Sequence, residues 1–224
     1  MKSTIILFVS FLYCAIVQAQ ILNKEVFNLL NLNYPGLEQV KRAYYEDKLE
    51  TAANELLKYY RKRTHVVNPF LDLANVTITP IEQGWADDAM QHTFFVHKGY
   101  QPSYNYGKDI DWQYWPVRDN ELRWQLHRHK WFTPMGKAYW LTKDEKYAKE
   151  WVYQYLDWIK KNPLQQIDPV LYEVYDIDGV KGPAENVRFA WRPLETSGRL
   201  QDQMNQFTLF LHSQAFTPAF LTDF

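Results

Sequence analysis

Seven tryptophans fall between residues 109 and 163: Trp112, Trp115, Trp124, Trp131, Trp140, Trp151 and Trp158. Their spacing restricts the fold more than any other feature of the chain. Tyr147, Trp151, Tyr155 and Trp158 recur at helical intervals, so a helix would gather these rings on one buried face. Asp144 and Glu145 open that run, Lys160 and Lys161 close it, and Pro163 stops it. Acid at the start and base at the end suit the helix macrodipole. Thr142 with Glu145 three residues on predicts a capping box. Upstream, Leu122, Trp124, Leu126, Trp131, Met135 and Tyr139 lie on broad apolar faces, which predicts a single helix from Asp119 to Tyr139.

The rest of the chain reads the same way, and the expected fold class is all-α. Residues 24–30 form a short helix. Leu37, Val40 and Tyr44 share one helical face, and Leu49, Ala53, Leu56 and Tyr60 share the next. Arg61, Lys62 and Arg63 suit a helix end. Residues 64–80 carry two prolines and the run VTIT, so a loop with a short extended piece is expected there. Trp85, Ala89 and His92 suggest another helix. Residues 97–118 mix Gly99, Pro102, Gly107 and Pro116 with aromatics, as in an ordered loop that lines a groove. Residues 163–184 form a second loop, with Asp176, Asp178, Gly179 and Gly182. A long helix is expected from about Asn186 to Leu211. Thr217-Pro218 then predicts an N-cap followed by proline at the first helical position. Only six residues, Ala219 to Phe224, follow Thr217-Pro218. An element that short cannot stand alone, and the expectation is a chain that stops within its last element.

Residues 1–19 have the form of a secretory signal peptide. Lys2 gives a positive start, residues 4–17 are apolar, and Val17-Gln18-Ala19 offers a cleavage site before Gln20. The predicted location is periplasmic or secreted. The apolar run is too short to span a bilayer, so no membrane association is expected after cleavage. The single cysteine, Cys14, lies inside this segment. Residues 20–224 therefore contain no disulfide, thiol nucleophile or cysteine-held metal. Losing Lys2 moves the formal charge from −1 to −2. That balance does not suit a nucleic-acid partner. It leaves an anionic ligand to be held by a local cluster.

Such a cluster exists. Arg118, Arg123, His127, Arg128, His129 and Lys130 interleave with the tryptophans. Rings stack on pyranose faces, and guanidinium forks grip carboxylates and sulfates two oxygens at a time. On a continuous 119–139 helix, Arg123, His127 and Lys130 would form one polar stripe. Arg188, Arg192 and Arg199 gather near Trp191, with Glu195 as a ready internal partner. Asn105, Tyr106 and Trp115 belong to the aromatic loop. The substrate-binding candidates are thus Asn105, Tyr106, Trp115, Arg118, Arg123, His127, Lys130, Arg188, Trp191 and Arg192. The structural alternative assigns Arg123 to Asp119 and the histidines to the core. The histidine spacing fits no zinc site, and Asp176-x-Asp178-Gly179 lacks the distal glutamate of a calcium loop. No metal and no cofactor are expected. No carboxylate pair suited to glycoside hydrolysis is evident, because Asp109 and Asp111 are near neighbours in one loop.

The stretch HTFFVHKGYQPSYNYGKDIDWQYWPVRDNELRWQLHRHKWFTPMGKAYWLTKDEKYAKEWVYQYLDWIKKNP, with NVRFAWRPLETSGRLQDQ after it, resembles the N-terminal helical domain of the heparinase II/III family, of the heparinase III (heparan-sulfate lyase) type found in Bacteroides-type bacteria. The resemblance covers essentially the whole chain, through FTPAFLTDF. It implies an incomplete (α/α) toroid across residues 20–224, followed in the family by a β-sandwich. It also implies β-elimination at a uronic acid of heparan sulfate, without a cofactor, by a protein that is monomeric when complete. A lyase of this kind must neutralise the uronate carboxylate, remove the C5 proton and protonate the leaving oxygen. The family's catalytic Asn, Tyr and His positions are expected downstream of Phe224, so no catalytic residue is assigned here. The alternative is a non-catalytic module that binds acidic polysaccharide.

Overall fold

A computed structural model describes residues 22–64, 66–164 and 189–224, and these residues are mostly helical. The signal segment, the 165–184 part of the second loop and Arg188 lie outside the described residues. The helices are α1 (Glu25–Leu29), α2 (Glu38–Tyr45), α3 (Leu49–Lys62), α4 (Pro80–Ala89), α5 (Asn120–Leu126), α6 (Phe132–Thr142), α7 (Glu145–Lys161), α8 (Pro193–Phe210) and α9 (Pro218–Asp223). Two short strands, β1 (Thr93–Phe94) and β2 (Tyr104–Asn105), pair antiparallel, with Thr93 opposite Asn105 and Phe94 opposite Tyr104. Residues 64–80 were expected to be a loop with a short extended piece, and Thr79 there is extended, φ −76° and ψ 157°. The same stretch also holds a 3-10 turn at Leu73–Asn75.

α2 and α3 form a hairpin, α6 packs between α4, α7 and α8, and α9 lies against α3. α6 meets α8 closely because Gly136 has no side chain. A Cβ there would come within 2.8 Å of Leu209 Cδ1 and 3.2 Å of Phe210 Cε2. Trp151 of α7 is fully buried. Its ring centroid lies 4.2 Å from that of Phe210, 4.9 Å from Phe220, 5.4 Å from Phe224 and 5.9 Å from Phe216.

The short α9 is held by this packing and by its cap. Thr217 Oγ1 accepts the Phe220 amide at 3.0 Å. Arg61 of α3 donates to the carbonyls of Leu211, Ser213 and Phe216 at 2.8, 2.9 and 3.0 Å. From the other side, Glu145 accepts the Ser213 hydroxyl at 2.6 Å and the Gln214 amide at 3.1 Å. The connection between α8 and α9 is thus gripped by a cation on its carbonyls and an anion on its amides.

Two local expectations are corrected. The predicted 119–139 helix is two helices. Asp119 caps α5 by accepting the Glu121 amide, and α5 ends at Leu126 with His127 as its cap. His129 then takes a left-handed conformation, φ 52°, which a non-glycine residue enters only when its surroundings hold it there. Packing supplies the hold: Trp131 stacks on Phe94 at 4.1 Å, and His129 sits among Trp112, Trp131, Phe132 and Trp158. The second correction concerns capping. Asp144, not Thr142, caps α7, and Glu145 is spent on the α8–α9 connection. The capping box in the described chain is Thr79 with Glu82, at the start of α4. The last long helix runs over Pro193–Phe210, and Asn186, where its start was expected, lies outside the described residues.

Candidate functional site

The C-terminal half of α7, the first half of α8 and the end of α9 enclose a depression of about 350 Å³. Tyr155, Trp158, Trp191, Arg199, Gln203 and Asp223 face it. Thr196, Arg199 and Gln203 come from one side of α8, at helical spacing. Trp191 precedes α8 and is fixed by its indole N–H, which donates to the Asn162 carbonyl at 2.7 Å. Tyr155 accepts from Gln203 at 2.8 Å.

Arg199 is the cation of this wall. It is buried, and burial pulls it down to about 10. Its NH1 donates to the His127 carbonyl at 2.8 Å and also to the Ala190 carbonyl. Its guanidinium lies 4.4 Å from the Trp158 ring centre and 5.1 Å from that of Trp191. Two indoles against one guanidinium make a rigid surface that joins aromatic faces to positive charge. Asp223 of α9 also lines the depression, and burial raises its carboxyl.

A second cationic group flanks the first. Glu195 is fully buried. It accepts Arg128 at 2.8 Å and Arg192 through both Nε and NH2, the latter at 3.0 Å. Arg192 also lies 3.8 Å from the centre of the Trp124 ring. One carboxylate between two guanidiniums leaves the group with net positive charge. The fork of Arg192 is committed to Glu195, the internal partner that the sequence offers.

The sequence candidates are placed very differently. Trp191 lines the depression, and Arg192, next to it in the chain, does not. Arg123 is buried, 3.6 Å from the Phe189 ring centre and 5.1 Å from that of Trp115, and donates to Gln113 at 3.2 Å. Arg118 is exposed, 6.0 Å from the Trp115 ring centre, and Trp115 donates to the Asp119 carbonyl at 3.1 Å. Trp115 and Arg118 of the loop before α5 and Arg123 of α5 itself therefore form one aromatic–cationic group. Lys130 is half-buried, and burial lowers it.

Three candidates serve the scaffold in the described residues. His127 is fully buried, and its Nδ1 accepts the Trp158 indole N–H at 3.1 Å. The break after Leu126 removes the Arg123–His127–Lys130 stripe that a continuous helix would have made. Tyr106 is buried against Phe94 at 5.2 Å, and burial pushes its hydroxyl far up. Asn105 fastens the ribbon: its amide donates to the Gln91 carbonyl at 2.6 Å and to Thr93 Oγ1 at 2.9 Å, and its Oδ1 accepts the Gly107 amide at 3.0 Å. Thr196, Gln203 and Asp223 were not singled out by sequence. Their only signal is the shared face of α8 and the turn after Thr217-Pro218. Among the described residues, no group of three or more His, Cys, Asp or Glu side chains is arranged to hold a metal ion.

Residues 26–224 match the family described as Heparinase II/III N-terminus. The chain is 65% identical over 206 residues to a heparin-sulfate lyase of Bacteroides stercoris, covering 92% of this chain and 31% of that protein. It is 44% identical over 215 residues to a heparin-sulfate lyase of Pedobacter heparinus, covering 92% of this chain and 30% of that one. A solved heparinase III with methylated lysines superposes with a TM-score of 0.85 at 67% identity, over 92% of this chain and 32% of that one. The heparan sulfate lyase structure from Pedobacter heparinus gives 0.74 at 44% identity, over 90% of this chain and 30% of that one. The chain thus spans about a third of the length of these relatives. With its helical packing and a match that runs from α1 to its last residue, the chain belongs to the heparinase II/III family.

Proposed function

We propose that these residues are the substrate-holding helical part of a secreted polysaccharide lyase. The complete protein cleaves heparan sulfate, or a closely related acidic glycosaminoglycan, by β-elimination at a uronic acid. The helices belong to an (α/α) toroid whose remaining part lies elsewhere in the protein. The signal-like residues 1–19 direct it to the periplasm or outside the cell. The observation that carries this reading is the 65% identity to a protein named heparin-sulfate lyase. The wall of Trp158, Trp191 and Arg199 supports it, because stacking faces beside fixed positive charge suit an anionic sugar. The proton-transferring groups fall outside the residues described here. In an assay of the complete protein on heparan sulfate, ultraviolet absorbance of an unsaturated uronate should rise. Product without that absorbance would indicate hydrolysis and reject β-elimination.

The Arg192–Glu195 pair separates scaffold from substrate contact. Arg192→Ala strips a buried carboxylate of one of its two partners, so stability should fall by about 2 kcal/mol. The Michaelis constant for heparan sulfate should move less than about threefold, since the fork already serves Glu195. Thermal unfolding and steady-state kinetics on the same variant decide this. A tenfold rise in the Michaelis constant with an unchanged melting temperature would return Arg192 to the substrate.

A further inference from the structure

The outward face of α2 is not the plain solvated stripe that an amphipathic helix usually presents. Glu38, Lys41, Arg42 and Tyr45 stand at i, i+3, i+4 and i+7, on one face about 10 Å long. Across from them, the turn before α2 brings Asn33 and Tyr34 to the opposite side of a concavity of about 430 Å³. Tyr34 is 47% exposed and Tyr45 72%. A single exposed ring on a protein surface needs no explanation. Two rings bordering one concavity, with a lysine and an arginine between them, form the combination that holds an anionic sugar.

The concavity is braced. Lys41 Nζ donates to Asn33 Oδ1 at 2.7 Å, which ties the helix to the facing turn. Arg42 is tethered to Gln39. The Glu38 carboxylate is turned aside to the Gly36 amide at 3.0 Å. Tyr45 rests edge-on against Tyr44, 5.7 Å between ring centres. Tyr44 is itself fixed by stacking on Phe27 at 5.3 Å and by donating to Asn28 at 2.6 Å. The exposed ring therefore stands on a rigid base, and little side-chain freedom is lost when a ligand covers it. The cations outnumber the carboxylate by one, which matches a sulfated or carboxylated sugar and not a neutral one.

We infer that this face of α2 is a second glycan-binding site, which holds a sulfated uronic-acid polymer at a distance from the α7–α8 wall. The two sites share no lining residue. The assignment rests on the proposed acidic-polysaccharide substrate. Holding a long chain at two places raises the effective concentration of polymer at the reacting site. It does nothing for a fragment too short to reach both.

The test uses the complete protein and two substrates, long heparan sulfate and a heparan-sulfate tetrasaccharide. Tyr45→Ala and Lys41→Glu should each weaken retention on immobilised heparan sulfate and raise the polymer's Michaelis constant about fivefold, the size an exposed stacking or charge contact supports. Tetrasaccharide kinetics should stay as in the parent for both, and the melting temperature should stay so for Tyr45→Ala, which breaks no tie between helix and turn. Tyr45→Phe, which keeps the ring, should retain binding. Unchanged polymer binding in both Tyr45→Ala and Lys41→Glu overturns the site. So does an equal loss on the tetrasaccharide, which would place the effect at the reacting site. A parent protein that binds the immobilised polymer but yields no unsaturated product would reject the lyase reading and leave this site standing.

Discussion

Trp151→Ala should destabilise the helical region by about 3–5 kcal/mol, the largest effect expected from any single substitution in it. Trp151 is fully enclosed, and its neighbours come from three directions: Phe210 from α8, Phe216 from the connection, and Phe220 and Phe224 from α9 and the residue after it. Alanine would open a space that none of them can fill without leaving the others. The indole N–H also donates to the buried Gln206 Oε1 at 3.2 Å, and losing that donor leaves an acceptor unpaired in the core. Because α9 is too short to be helical alone, its order depends on this cluster. The Thr217 cap and Arg61 hold its start and the connection before it, but not its buried face. The loss should therefore be cooperative across α7, α8 and α9. Denaturant unfolding followed by far-ultraviolet circular dichroism gives the midpoint, and hydrogen exchange at the amides of α9 gives the local effect. Trp151→Phe should recover about half of the loss, since it keeps a ring against Phe210. A midpoint shift below about 1 kcal/mol for Trp151→Ala would mean that the cluster repacks freely.

The parts of the fold that local chemistry determines could be read in advance. α7 was legible because Tyr147, Trp151, Tyr155 and Trp158 repeat at helical spacing between an acidic start and a basic end, and the structure places it at Glu145–Lys161. The start of α9 was legible because threonine before proline fits an N-cap. The break between α5 and α6 was not. The apolar positions continue through it, and nothing short of the stacking of Trp131 on Phe94 explains why His129 turns left-handed. The same limit governs the site. Residue type marks Arg192, Arg199 and Trp191 as able to hold an acidic sugar, but type cannot tell a ring or cation facing a groove from one facing the core. Tyr106 and His127 had the right chemistry and are buried. Glu195 three residues after Arg192 was a visible helical pairing, and it formed. Glu145 three residues after Thr142 was equally visible, and its carboxylate went to a loop 68 residues away. Tertiary packing chose between two local patterns that looked alike.

Acid should destabilise the helical region more steeply than its carboxylates alone would cause, because His127 and His129 are buried without charge. For both, burial is the main cause holding the ring well below its ordinary value of 6.5, with the nearby Arg199 cation adding to it. The geometry of His127 agrees. Its Nδ1 accepts the Trp158 indole at 3.1 Å, so that nitrogen carries no proton, and its own carbonyl receives the Arg199 guanidinium at 2.8 Å. A second ring proton would break the indole bond and set two cations side by side. His129 is packed among Trp112, Trp131, Phe132 and Trp158 with no carboxylate in that ring set. The sign follows from linkage. Below pH 6.5 the unfolded chain takes up protons at both rings and the folded chain does not, so stability is complete above that pH and lost as the pH falls through it. While both rings stay neutral in the folded chain, each loses about 1.4 kcal/mol by pH 5.5, and the pair about 3 kcal/mol. The measurement is the denaturation midpoint at pH 7.5, 6.5 and 5.5 for the parent and for His127→Gln with His129→Gln. Glutamine does not titrate there, so the double variant, whatever its stability at pH 7.5, should lose much less on acidification. His212, which burial lowers as well, is present in both proteins and cancels in the comparison. Equal acid slopes in parent and variant would show that these two rings take up protons within the folded core.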